Sequence, residues 1–494
     1  MKKLTKQRLM TAANTDEEAL EISNVKQVDV AIVGAGTAGL AALRDVRDRT
    51  DNFVLINAGP YGTTCARVGC MPSKALIAAA NAFHARTKLD EFGICGGSGL
   101  RADIPAVLRR VRSLRDRFVS GVLKRTKDLG VRNIAGHARL DGPTRLIVGE
   151  RTIQAGQIVL APGSSPIVPK PWRALGDRIL TSDTLFDEED LPFRIGVIGL
   201  GPLGVEIAQA LARLGIDVHA FDTGKQIAGI SDEKVADAAQ DNLAKEFAIH
   251  LDTQVELAEA GSGVEMRWEG GSVTVEKVIV AVGRRPNVDG LGLETLGVPL
   301  DENGMPEVDP MTMRIGSTPV LLAGDANGDK PLLHEAADEG HIAGFNATSK
   351  DPIHLSRRTP LSMVFCDPVV ASVGQRVKEL DLETTLMGEV SFALQGRALM
   401  MQENRGLLRL YAARRDGRLL GAEMAIPAAE HMAHLLALAI GQELTVHDLL
   451  RMPYYHPTLE EGLRTALRTI ARELPSCAPS DLARCGSLGA EALD

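Results

Sequence analysis

Two strand–GxGxxG–helix–strand runs of equal internal spacing, in a chain of 494 residues, predict an α/β fold. Two Rossmann-like dinucleotide-binding domains are expected, followed by a smaller C-terminal α+β domain. The length supports this count, because domains usually hold ~100–200 residues and three or four are therefore expected. Beyond residue 355 the pattern changes to short strands (419–424) mixed with helix (431–440), which marks the third domain.

Residues 28–33 (VDVAIV) read as a short buried strand. Gly34, Gly36 and Gly39 follow, then a helical stretch at 40–49 and a second strand at 53–56 that ends at Asn57. The glycines permit a tight turn and let the backbone approach a pyrophosphate, which the N–H groups of the helix start then face. The pattern recurs at 195–198, with Gly199, Gly201 and Gly204, a helix at 205–214 and a strand at 218–221 that ends at Asp222. From first glycine to strand-end residue the distance is 23 in both copies (57 − 34 and 222 − 199). One glycine run is weak evidence, but two matched copies in the correct order are strong, so each unit is expected to bind one nucleotide. Residues 320–323 read as another buried strand, leading into Gly324–Asp325.

Hydrophobic residues make up 45% and charged residues 24%, ordinary values for a globular chain. With two Trp and four Tyr, the cores must rest on aliphatic packing. A net charge of −9 argues against a nucleic-acid partner, which requires a basic surface. No apolar run approaches the ~18 residues that span a bilayer, so no membrane partner is expected. Residues 1–10 are basic but lack the apolar stretch of a secretory signal, and a cytoplasmic location is expected. Six cysteines, at 65, 70, 95, 366, 477 and 485, are too few for a disulfide scaffold.

Cys65 and Cys70 stand five apart, in the run Cys65-Ala-Arg-Val-Gly-Cys70-Met-Pro-Ser-Lys74. Read by themselves they are a redox pair, two buried thiols or two metal ligands. Metal sites favour shorter spacing and a second pair, and none is near, so no metal is expected. A disulfide at this spacing needs an irregular helix start, which Gly69 permits, and Pro72 suits the first turn of the helix that follows. A helix N-terminus also favours thiolate.

This run resembles the redox-active disulfide of the pyridine nucleotide-disulfide oxidoreductases, and over residues 27–475 the motifs follow that family's order. Within the family the likeness is to the dihydrolipoyl dehydrogenases. The resemblance implies that Cys65 is the interchange thiol and that Cys70 lies against the flavin, with Lys74 beside it and paired to Glu206. It implies that His456, in His456-Pro-Thr-Leu-Glu-Glu461, is the acid–base and that Glu461 orients it. In the family this histidine reaches the disulfide of the other subunit, so a homodimer is implied. Gly324–Asp325 matches the second flavin motif, Ala161-Pro-Gly163 stands where A-T-G is usual, and Gly283-Arg-Arg-Pro-Asn287 matches G-R-x-P-N. The implied domains are an N-terminal extension (1–26), an FAD-binding domain (27–165 with 287–350), an NAD(P)-binding domain (166–286), an interface domain (355–475) and a tail (476–494).

The cofactors implied are FAD and a nicotinamide dinucleotide. Asp222 ends the strand that meets the ribose, and a carboxylate there accepts from both hydroxyls and repels a 2′-phosphate. NAD is therefore expected over NADP, with Lys225 the one residue that could reach a phosphate. Three positions depart from the family: Asn57 replaces the usual Glu for the flavin ribose, Arg67 replaces an Asn between the cysteines, and Tyr454 takes the place of the first His in H-x-H. The expected reaction is dihydrolipoamide + NAD⁺ to lipoamide + NADH, with a lipoyl domain of a 2-oxoacid dehydrogenase complex, or a small dithiol, as partner. The alternatives are a glutathione-disulfide reductase, a mercuric or metalloid reductase, and, in another class, a non-catalytic flavin-bearing interaction subunit. Cys477 and Cys485 are expected to be incidental thiols of the tail.

Overall fold

The computed structural model describes residues 25–476, 478 and 480–484. Residues 1–24 of the N-terminal extension, Cys477 and Cys485 lie outside the described residues. The chain divides into two compact units. One takes the chain up to Arg67 with Arg115–Ser165 and Arg284–Arg357; the other takes Val68–Leu114, Pro166–Gly283 and Arg358 onward.

The first unit is built on the strand Val25–Val33. It pairs in parallel with Phe53–Asn57 on one side and with Arg151–Leu160 on the other. Val320–Leu322 adds a further parallel strand against the end of Arg151–Leu160. Toward their carboxyl ends these strands are aliphatic and covered on both faces, at 30–33, 53–56, 158–160 and 320–322, as a parallel sheet requires. Chain order reverses at Val25–Val33, and the crevice outside the carboxyl end of such a strand is where doubly wound sheets hold ligands.

Helix Thr37–Arg47 leaves this strand and packs against helix Leu333–Asn346. Glycine makes the approach possible, since a Cβ at Gly340 would stand 2.2 Å from Ala38 O and one at Gly344 2.6 Å from Ala42 Cα. The helix begins three residues before the 40–49 expected. Gly39 therefore lies inside it, where glycine costs roughly 1 kcal/mol against alanine. Contact decides the matter: a Cβ at Gly39 would be 1.9 Å from Gly34 O. The second glycine helix, Pro202–Arg213, likewise starts before the expected 205, and Gly204 would meet Gly199 O at 1.8 Å.

In the second unit, a parallel sheet runs in the order Ala248–His250, Asp217–Phe221, Arg194–Ile198, Lys277–Val280, Ile179–Leu180. Its order also reverses at the strand that carries a glycine turn. The same unit holds an antiparallel sheet of Leu361–Val364, Val369–Gly374, Leu419–Ile426, Leu407–Ala413 and Thr385–Ser391. Helices Ala429–Gly441 and Glu461–Ala471 cover it, and Leu410, Met424, Leu436, Leu463 and Leu467 form its core. The described end of the chain does not run free: Arg451 pairs with Asp481 at 2.6 Å and Ala483 is buried.

Candidate active site

The first glycine turn is shaped to receive a pyrophosphate. A Cβ at Gly34 would stand 2.1 Å from Ala161 O, whereas one at Gly36 would meet nothing within 4 Å. The outer glycines are thus filled by the protein's own backbone and the middle one faces open space. Among the described residues no side chain caps the helix start at Gly36 or at Gly201. The second turn repeats the arrangement: a Cβ at Gly199 would stand 2.5 Å from Ala281 O, and one at Gly201 would meet nothing within 4 Å. Both cradles fit a dinucleotide phosphate by uncapped N–H groups and free approach.

The strand-end residues turn back onto these turns. Asn57 Oδ1 accepts from the Ala35 N–H at 3.1 Å, and its Nδ2 donates to Gly59 O at 2.6 Å. Asp222 accepts from the N–H groups of Leu200 and Gly224. A carboxylate has about four lone-pair sites, so Asp222 keeps capacity for ribose hydroxyls. Lys225 lies 3.9 Å from Asp252, and both side chains are exposed.

Asp325 and Ser164 meet across 161 residues of sequence, with Ser164 Oγ donating to Asp325 Oδ2 at 2.6 Å. Arg284 donates to Ser164 Oγ at 2.8 Å and to its carbonyl at 2.7 Å. Asn287 binds Gly163 O through its backbone N–H and Pro162 O through its side chain. Gly163 and Gly283 both have positive φ, at 73° and 120°.

A residue the sequence reading missed holds this turn. Glu339, 1% exposed, accepts from the Gly324 N–H at 2.7 Å, from Asn327 Nδ2 at 2.8 Å and from Arg357 at 2.9 Å. Burial pushes its carboxyl above the usual range against the pull of those donors. An acidic residue on the apolar face of a helix was the available signal.

Cys65 is half-buried in the short helix Thr64–Arg67, and Cys70 opens helix Cys70–His84 and is exposed. Val68 and Gly69 break the helical path between them. Arg67 is half-buried, with its Nε inaccessible to solvent. Lys74 Nζ lies 2.8 and 2.7 Å from the two oxygens of Glu206, which is 3% exposed. The Phe365 N–H donates to the same carboxylate at 2.9 Å. Cys366 is fully buried, and burial holds its thiol far above the normal range, so it stays protonated and inert.

His456 Nδ1 faces both oxygens of Glu461, at 3.2 and 3.1 Å. The carboxylate is a hydrogen-bond acceptor, so it takes the Nδ1–H and leaves Nε2 as the nitrogen that can receive a proton. Glu461 is buried and also accepts from the Thr458 N–H at 3.1 Å, while His456 is exposed.

Residues 28–340 match the family model described as pyridine nucleotide-disulphide oxidoreductase, and residues 361–467 match that family's dimerisation domain. The chain belongs to this family. A pyridine nucleotide-disulphide oxidoreductase is an enzyme that acts on a sulfur group with FAD and a pyridine nucleotide. Among relatives, the dihydrolipoyl dehydrogenase of Bacillus subtilis is 29% identical, over 89% of this chain and 97% of its own. The mercuric reductase of Shigella flexneri is 30% identical, over 91% of this chain and 82% of its own. The structure of LpdA from Mycobacterium tuberculosis superposes with a TM-score of 0.78 at 24% identity, covering 89% of this chain and 99% of that one, which supports the fold. Among the described residues no helix is long and apolar enough to cross a membrane.

Proposed function

We propose that this oxidoreductase is a dihydrolipoyl dehydrogenase, converting dihydrolipoamide and NAD⁺ to lipoamide and NADH. The observation that carries the reading is the His456–Glu461 pair, a base with a fixed tautomer and an exposed ring. A thiol near pKa 8.5 is only a few per cent thiolate at neutral pH, and a base that takes its proton removes that limit. His456 accepts the proton of one substrate thiol, and the thiolate attacks Cys65 of the Cys65–Cys70 disulfide. Cys70 leaves as thiolate; the second substrate sulfur then attacks the first and its proton passes to the departing Cys65 sulfur, which closes lipoamide and frees Cys65 as a thiol. A bound FAD would supply the two-electron chemistry that links the reduced cysteine pair to NAD⁺. Gly34, Gly36, Gly39, Asn57, Gly163, Gly324 and Asp325 would hold the flavin, with Lys74 and Glu206 beside it. Gly199, Gly201, Gly204, Asp222 and Gly283 would hold the nicotinamide dinucleotide.

Asp222 supports NAD over NADP, and the exposed Lys225 sits near the countercharge of Asp252. We assign residues 27–165 and 287–350 to FAD, 166–286 to the nicotinamide cofactor and 355–475 to a homodimer interface, in a cytoplasmic enzyme served by a lipoyl domain. The 30% identity to a mercuric reductase favours metal-ion reduction as the second reading. Steady-state rates with lipoamide, glutathione disulfide and Hg²⁺, each with NADH and NADPH, separate them. Turnover of lipoamide with NADH is expected; turnover of Hg²⁺ or glutathione disulfide alone overturns the proposal.

A further inference from the structure

Glu461 has a third neighbour besides His456 and Thr458. Arg464 follows it by one helical turn, and its terminal nitrogen lies 3.4 Å from Glu461 Oε1. The guanidinium stands 5.5 Å from the centre of the Tyr454 ring. Arg464 Nε is buried and has no hydrogen-bond partner among the described residues. Tyr454 is packed against the C-terminal core, and its hydroxyl donates to Leu449 O at 3.3 Å. Burial pushes that hydroxyl far above its usual range, so the ring stays neutral. The face of an aromatic ring is a suitable platform for a guanidinium.

We propose that Arg464, seated on the Tyr454 ring, is a positioning residue for the His456–Glu461 pair. His456 and the Thr458 N–H hold the carboxylate from one side; Arg464 holds it from the helix. A carboxylate on a long side chain swings about its last torsions, and each swing releases the Nδ1–H that fixes the histidine tautomer. The guanidinium removes that freedom. The same geometry gives Tyr454 a role: it stands two residues before His456, half-buried against the core, and supplies the surface on which Arg464 rests. This inference rests on the acid–base role proposed for His456.

The test uses the full-length, flavin-loaded protein, with whichever thiol or disulfide of the substrate panel it turns over. Arg464→Met is expected to lower kcat about tenfold with KM within about twofold, because orientation and not binding is lost. Arg464→Lys, which keeps a cation on the same turn, restores most of the rate. Tyr454→Leu shows part of the loss and Tyr454→Phe almost none, since the ring and not the hydroxyl carries Arg464. In the His456→Gln background, Arg464→Met adds no further loss if it acts through the histidine. An equal further loss there, or a wild-type kcat in Arg464→Met, overturns the inference. A wild-type rate in His456→Gln alone overturns the proposed function instead. A readout free of turnover is the ¹⁵N shift of the His456 ring in histidine-labelled protein. One tautomer is expected in the parent and a mixture in Arg464→Met; an unchanged spectrum overturns the inference even where that variant is less stable.

Discussion

Asn57 differs from a glutamate in carrying an amide and no charge at the end of its strand. Its amide accepts from Ala35 and donates to Gly59, so it ties the strand end to the glycine turn and brings no charge. Asp222 does the equivalent work in the second unit with a carboxylate. A charge-assisted hydrogen bond to a ribose hydroxyl is worth roughly 1 kcal/mol more than a neutral one. Asn57→Glu is therefore expected to tighten FAD binding about fivefold. Titration of the apoprotein with FAD, followed by the change in flavin fluorescence, reads this; an unchanged or weaker dissociation constant refutes it. The spacing of 23 made both strand-end residues legible. That their side chains fold back onto their own turns was not, because it depends on rotamers that neighbours select.

Helix Pro202–Arg213 carries three polar side chains on a buried face: Glu206, Gln209 and Arg213. All three grip the segment 365–367, Glu206 through the Phe365 N–H and Gln209 through two bonds with the Asp367 backbone. Arg213, 2% exposed at its side chain, pairs with Asp367 at 2.8 Å and Glu246 at 2.6 Å. Burial opposes the charge on Asp367, but Arg405 and Arg213 outweigh it and hold the carboxyl below the usual carboxylate range. The folded value lies below the unfolded one, so this stabilisation is present above the ordinary carboxylate pKa of about 4 and is lost as pH falls through the folded value. Asp367→Asn is expected to cost about 3 kcal/mol at pH 7, because Arg213 and Arg405 each lose an ionised partner. The gap in thermal midpoint between parent and variant should narrow as pH drops below about 4. A gap independent of pH would show that charge is not what Asp367 contributes. Only the spacing 206, 209, 213 on an apolar helix hinted at this face, since every partner is remote in sequence.

At the scale of the whole molecule, the proposed reaction needs Cys65 and Cys70 from one chain and His456 from its partner. A mixture of variants tests this arrangement. In a dimer of one Cys70→Ser chain and one His456→Gln chain, one site carries both defects and the other carries neither. After subunit exchange, the mixture should recover about a quarter of the parent activity: half the dimers are mixed, and half their sites are whole. If the histidine serves its own chain, every site has one defect and nothing is recovered. The family match over residues 361–467 bears on the same point, because that stretch corresponds to the family's dimerisation domain.

The sequence by itself determined the two glycine turns, the strands that frame them, and the Cys65–Cys70 and His456–Glu461 motifs. These are local: glycine geometry, a period of hydrophobic residues and a short spacing fix them within a few turns of chain. The Lys74–Glu206 contact across 132 residues is the one the family resemblance implied; only the tertiary structure decided that Ser164 clasps Asp325 and that the buried Glu339 pins Gly324. It also decided where the glycine helices begin, since a Cβ at Gly39 or Gly204 would stand 1.9 Å or less from a backbone oxygen and glycine is needed there despite its poor propensity. A buried charge finds its partner through the packing of whole elements, and that packing is a property of the folded chain and of no single segment.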